Sequence, residues 1–181
     1  MSDAVNVGLN FVQEKMNEFR EFGAILRSEH AMFSILDEDA FGTGDIVIEV
    51  PQTRIIITDY KHGIGIPVEA DDPQLKYYGY LAIENASMEL TDDTPVDLYV
   101  IQPRCPHPKG HIRKHSTTVG ALKAWWLEVL LPAMEATRNP NALLKIGDWC
   151  RFCPASSELY CPAIKSEIAD LKLDRDPEAM T

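Results

Sequence analysis

The sequence predicts an α/β (α+β) fold, a mixed central β-sheet flanked by helices. Three observations predict it. Two β-branched runs, DIVIEV and RIIITDYK, are separated only by Pro51-Gln52-Thr53, which reads as a hairpin. Segments with helical apolar spacing lie on both sides of them. The order along the chain is then helix, three strands, helix, strand, helix. A length of 181 residues, 45% of them apolar, is enough for one real core.

Leu9, Val12, Met16 and Phe19 repeat at helical spacing, so a helix is expected from about residue 4 to 21, stopped at Gly23. GAILRSEHAMFSIL mixes apolar and polar residues at short range and reads as a strand. DEDAFGTG is acidic and Gly-bearing, a turn. The hairpin follows, and HGIGIPVEA is a loop or short strand. Asp72-Pro73 opens a helix, because Asp caps well and Pro suits the first helical position. That helix should run through QLKYYGYLAIENASM. VDLYVIQPR is a strand with Val96, Leu98 and Val100 on one face. After a basic hairpin region comes a Trp-rich helix with Leu122, Trp125, Trp126, Val129 and Leu130 as its stripe and a kink at Pro132. The chain reads as a single domain over 1–181. An N-terminal helix (1–23) precedes a core (24–137), a cysteine segment (138–165) and a charged helical tail (166–181).

No apolar run approaches the roughly 18 residues that a membrane span needs. The N-terminus lacks the cationic start and apolar stretch of a signal peptide. A cytoplasmic, reducing setting is expected, where four cysteines serve as ligands or free thiols. The formal net charge of −11 runs against nucleic-acid binding. The segment from Leu98 to Leu127, however, has no Asp or Glu and holds Arg104, Lys109, Arg113, Lys114 and Lys123 with three histidines. Such a strip can contact phosphates, Arg104, Arg113 and Lys114 among its candidates, or it can be an ordinary solvated hairpin.

Asp45 heads the first strand of the hairpin; Asp59 and Lys61 lie near the end of the second, on one face. A three-residue loop, Pro51 to Thr53, pairs Val50 with Arg54 and sets Asp45 opposite Asp59; a four-residue loop would turn Asp45 away. Two carboxylates about 5 Å apart repel unless a proton or cation intervenes. Mg²⁺ or Mn²⁺ suits them, with the Tyr60 backbone carbonyl as a further oxygen. Lys61 can then orient water or neutralise a phosphate. Gln74 and Tyr78 lie four apart and share one helical face.

FGTGDIVIEV…RIIITDYKHGIGIPVEADDPQLKYYGYLA resembles the core of the PD-(D/E)XK nuclease superfamily, in its RecB-like, phage-encoded branch. The matching parts are the GTxD aspartate, the DYK triplet and the Gln74-x3-Tyr78 pair; VIQPR and WCRFCPASSELYCPA resemble those phage proteins too. The likeness covers roughly residues 24 to 165. It implies a restriction-endonuclease-like core and a divalent-metal-dependent DNA nuclease, an exonuclease of recombination or replication, in a bacterial host cytoplasm. Asp45 and Asp59 would bind the metal and Lys61 would be catalytic. Gln74 and Tyr78 would touch DNA or support the site, and Glu29 on the first strand would assist the metal.

Cys150-x2-Cys153-x7-Cys161 is a metal-ligand spacing, a C-terminal knuckle. The resemblance implies a [4Fe–4S] cluster there, closed in the family by a distant N-terminal cysteine. This chain has no cysteine before Cys105 and lacks the family's histidine-bearing N-terminal helix. Cys105 or His107 completes the site, a homo-oligomer or partner chain supplies the missing part, or zinc or nothing is bound. The alternative function is a non-catalytic or split relative that binds DNA or protein.

Overall fold

In the computed structural model, which describes residues 2–158 and 160–173, the chain divides into two compact units, residues 1–132 and 133–181. The first opens with helix α1 (Ser2–Glu18) and a 3₁₀ turn (Arg20–Phe22), closed by Gly23 in the left-handed conformation at φ 71°. Glycine accepts that conformation at no steric cost, so the stop read in the sequence is the stop observed. The buried face differs from the expected one. Phe11 and Phe19 are buried, while Leu9 is 61% exposed. The Phe11 ring meets Tyr99 at a tilt of 59° with centroids 4.8 Å apart, and that aromatic contact turns Phe11 rather than Leu9 towards the sheet.

Strands β1 (Ile25–Phe33), β2 (Phe41–Val50) and β3 (Arg54–Tyr60) form an antiparallel meander. Phe41 to Gly44, expected in a turn, already belong to β2, where they pair with Phe33 to His30. Helix α2 (Pro73–Glu84) crosses to β4 (Pro95–Ile101), which runs parallel to β3. Strand β5 (Ile112–Thr118) pairs antiparallel with β4, giving the order β1-β2-β3-β4-β5. The architecture is α+β with a mixed sheet, as the sequence predicts. The fifth strand is an addition. Its run IRKHSTT lacks apolar alternation because it lies at the sheet edge, where polar residues guard unpaired backbone.

One face of the sheet packs Ile48, Val50, Ile56, Tyr99 and Ile101 against Phe11 and Phe19. The other receives α2, so Val96, Leu98 and Val100 share a buried face as expected. Asp72 caps α2, accepting from Gln74 N at 2.8 Å, with Pro73 at the first turn. The helix ends at Glu84, earlier than its apolar pattern suggests. The Asn85 amide bonds Leu81 O and also reaches back to Phe33 O, both at 2.8 Å.

Helix α3 (Val119–Trp125) passes into a π-helical turn (Trp126–Leu130) and then α4 (Leu131–Arg138). Leu131 N bonds Trp126 O, five residues back, just before Pro132, which has no N–H to give. The discontinuity expected at Pro132 is therefore a widened turn. It leaves Leu122 and Trp126 buried but Val129 54% exposed, so the expected stripe is only partly internal.

In the second unit, a 3₁₀ turn (Asp148–Phe152) leads to α5 (Pro154–Ser157) and α6 (Pro162–Leu173). The expected tail beyond residue 173 lies outside the described residues. Among the described residues no helix is long and apolar enough to cross a membrane.

Candidate functional site

The loop between β2 and β3 is Pro51 to Thr53, and Val50 pairs with Arg54. That register sets Asp45 opposite Asp59, as the odd loop requires. The paired ladder ends at Ile46–Thr58; one step beyond, Asp45 Oδ2 accepts the Tyr60 N–H at 2.7 Å. The carboxylate thus takes up a backbone donor at the end of the strand pair. Lys61 N–H donates to Ile101 O at 2.8 Å, which extends the β3–β4 pairing and fixes the lysine backbone.

From there a line of side chains runs onto α2. Lys61 Nζ lies 3.1 Å from Asp59 Oδ2 and 3.2 Å from Gln74 Oε1. Gln74 Nε2 donates to Tyr78 Oη at 3.3 Å. The Tyr78 ring lies over β2, where a Cβ on Gly42 would come within 2.9 Å of it. Gly42 therefore admits the ring by lacking a side chain. Asp45, Asp59, Lys61, Gln74 and Tyr78 are brought together by three elements.

Asp59 is buried, and burial pushes its carboxyl above the ordinary range. The Lys61 hydrogen bond and charge pull it down; the charges of Asp45 and Asp72 push it up again. A buried carboxylate beside two other acids gains from an added cation. The donor set suits a hard divalent ion. One oxygen of Asp45 is held by Tyr60 N–H and one of Asp59 by Lys61, which leaves one oxygen on each. Magnesium commonly takes one or two carboxylates and fills its other positions with water and phosphate oxygens. Among the described residues no group of three or more His, Cys, Asp or Glu side chains is assembled around a point.

Glu29 stands on β1 between the pairs Ser28–Ile46 and His30–Gly44, in line with Asp45. It is exposed, and its φ of 47° lies in the left-handed region that a non-glycine residue rarely adopts. The basic strip is largely spent internally. Arg113 is 2% exposed and donates to Val68 O, Gly110 O and Gln102 Oε1, so it clamps the 62–71 loop and offers nothing to a phosphate. Lys114 is paired with Asp97 at 3.0 Å and lies over the Tyr99 ring. Arg113 is thus a support of the fold and not the DNA contact expected, whereas Lys114, although paired, stays exposed. Arg104 remains exposed.

Cys105 belongs to the first unit, buried, with its thiol donating to Gly65 O at 3.0 Å. His107 is held by Glu69 at 3.0 Å. Cys150, Cys153 and Cys161 are free thiols of the second unit, linked through the backbone by Cys153 N–H to Cys150 O.

Residues 1–179 match a family described as a protein of unknown function, DUF2800. The chain belongs to the DUF2800 family. No curated protein matches this family member. Sequence reasoning missed two contributors to its site. Asp72, a helix cap in the sequence, also bears on Asp59 through its charge. Gln102, in VIQPR, is buried and bonds Ile66 O, Val68 N and Arg113, fixing the loop that follows Lys61. A polar residue ending an apolar strand was the available signal for it.

Proposed function

We propose that the protein is a divalent-metal-dependent deoxyribonuclease, an exonuclease of phage type acting in a bacterial host cytoplasm. The observation that carries this reading is the continuous line Asp59–Lys61–Gln74–Tyr78 beside Asp45. Asp45 and Asp59, with the Tyr60 carbonyl, would hold Mg²⁺ or Mn²⁺, and Glu29 would assist. When bound, such an ion polarises a phosphoryl oxygen and makes bound water more acidic.

The protein's own groups have separable tasks. Asp59 accepts from the Lys61 ammonium and keeps it at the carboxylates. Gln74 Oε1 holds the same ammonium from the helix side, and Tyr78 orients the Gln74 amide. Gln74 and Tyr78 therefore act as positioning residues for Lys61, whose charge can meet negative charge developing on a phosphate.

The test is incubation of linear and circular DNA with Mn²⁺. Wild type should degrade DNA and Asp59→Ala should not. Lys61→Ala should lose about 10²–10³-fold in rate, the usual cost of removing one charge-stabilising donor. Degradation of linear DNA alone marks exonuclease action. No loss of DNA with wild type at any concentration, alone or with a partner chain that carries a histidine-bearing helix, would reject the reading.

A second reading, a non-catalytic DNA- or protein-binding relative, is favoured by the net charge of −11 and the internal pairing of the basic strip. On this reading a partner chain carrying a histidine-bearing helix would complete the site, and DNA would be lost only when that partner is added. The cysteine trio is proposed as the metal knuckle, with a [4Fe–4S] cluster first and zinc second. Stoichiometric iron and sulfide in brown protein supports the former, and zinc in colourless protein the latter.

A further inference from the structure

β3 and β4 are the parallel pair of the sheet, and their carboxyl ends open onto a cleft of about 610 Å³. Ligands of open sheets commonly bind outside the carboxyl ends of strands. Asp3, His62, Arg104 and His111 line this cleft, with Pro103 between the strand end and the arginine. His62 follows β3 and Arg104 follows β4, so the two parallel strands aim both side chains' segments at one place.

Charge bookkeeping within the basic strip singles out this cleft. Lys109 is paired with Glu69, Lys114 with Asp97 and Lys123 with Asp92, and Arg113 is buried on carbonyls. Arg104 has no ion pair among the described residues. His62 bonds the Tyr60 hydroxyl through Nδ1 at 3.2 Å, which leaves Nε2 for another partner. Guanidinium and imidazole N–H groups are the donors that phosphate oxygens accept. The volume lies in the range of ligand clefts and far exceeds a lone phosphate ion.

We propose that this cleft is a phosphate-binding groove for a nucleic-acid strand, with Arg104, His62 and His111 contacting backbone phosphates. The proposal rests on the nuclease reading only for what lies next door. Tyr60 and His62 fall on the cleft side of the β3 end, whereas Asp59 and Lys61 fall on the side of Gln74. A strand laid across that end meets both.

The experiment measures anisotropy of a short fluorescein-labelled duplex with the full chain, without divalent cation so that no cleavage intervenes. His62, Arg104 and His111 are all exposed, so their substitution empties no core. Arg104→Ala should weaken binding about fivefold and lower the salt slope by about one. The triple variant His62→Ala, Arg104→Ala, His111→Ala should weaken it further. Unchanged binding by the triple variant overturns the proposal, as does failure of wild type to bind. Inorganic phosphate that displaces the duplex at equal affinity overturns it in favour of a free-phosphate site. Cleavage is read separately. If Asp59→Ala cleaves as wild type does while the triple variant loses binding, the nuclease reading fails and the groove stands.

Discussion

Asp59 carries opposing demands. Burial and the nearby charges of Asp45 and Asp72 raise its carboxyl above the ordinary range, and Lys61 only partly offsets them. The folded state therefore takes up a proton more readily than the unfolded chain. The ionised form costs stability above the raised value, and that cost fades as pH falls from there towards the ordinary Asp value of about 3.9, below which it is gone. Asp59→Asn should accordingly raise Tm at pH 8 and lose that advantage at pH 3, read by thermal unfolding at both. Mg²⁺ or Mn²⁺ should raise the Tm of wild type and leave that of Asp59→Asn unmoved. A wild-type Tm indifferent to both ions would count against the pair as a metal site. Glu49 has the opposite sign. Burial alone would raise its carboxyl, but hydrogen bonds from Ser87 and Arg27 bring it below the ordinary range. Glu49→Ala strands the Arg27 guanidinium and the Ser87 donors, and should cost about 2 kcal/mol by denaturant titration.

At the scale of elements, the site depends on how α2 lies across β2 and β3. The Asp72 cap fixes where the helix begins and so where Gln74 stands relative to Lys61. Asp72→Ala should lower stability by about 1 kcal/mol. Gly42 decides the other end. A valine there would press on the Tyr78 ring, displace it, and loosen the Gln74–Lys61 contact. Gly42→Val should therefore reduce Mn²⁺-dependent cleavage well beyond any loss of folded protein, measured by circular dichroism on the same samples. Equal losses in both would mean that Gly42 serves packing alone.

For the whole molecule, acid and base are segregated rather than balanced. The net charge of −11 repels DNA at long range, and the lysines of the Leu98–Leu127 strip are paired with acids of the same chain. One of those pairs, Lys114–Asp97, is buried on the acid side. Asp97, for which burial is outweighed by Lys114, Ser116 and Arg54, titrates below the ordinary range, as Glu49 does. Stability from such depressed groups is fully present above their unfolded values, about 3.9 and 4.3, and is lost as pH falls through the folded ones. Global unfolding by acid should begin below about pH 4, and Asp97→Asn should flatten that part of the profile.

The sequence by itself determined the alternation of helix and strand, the Gly23 stop, the Asp72–Pro73 start and the odd hairpin loop. Each is a local property: a period, a cap or a loop length. The Val50–Arg54 pairing, and with it Asp45 opposite Asp59, followed from the loop alone, since strand faces alternate at every residue. Edge strand β5 was not legible because an edge carries no apolar period. The fate of the basic strip was not legible either. Arg113 and Arg104 look alike in sequence, yet one is buried on carbonyls and the other stands exposed in a cleft. Only the tertiary structure decides between them, because partners such as Glu69, Asp92 and Val68 come from segments far along the chain. The same holds for Asp59, whose raised carboxyl depends on burial that only packing against α2 and the sheet creates.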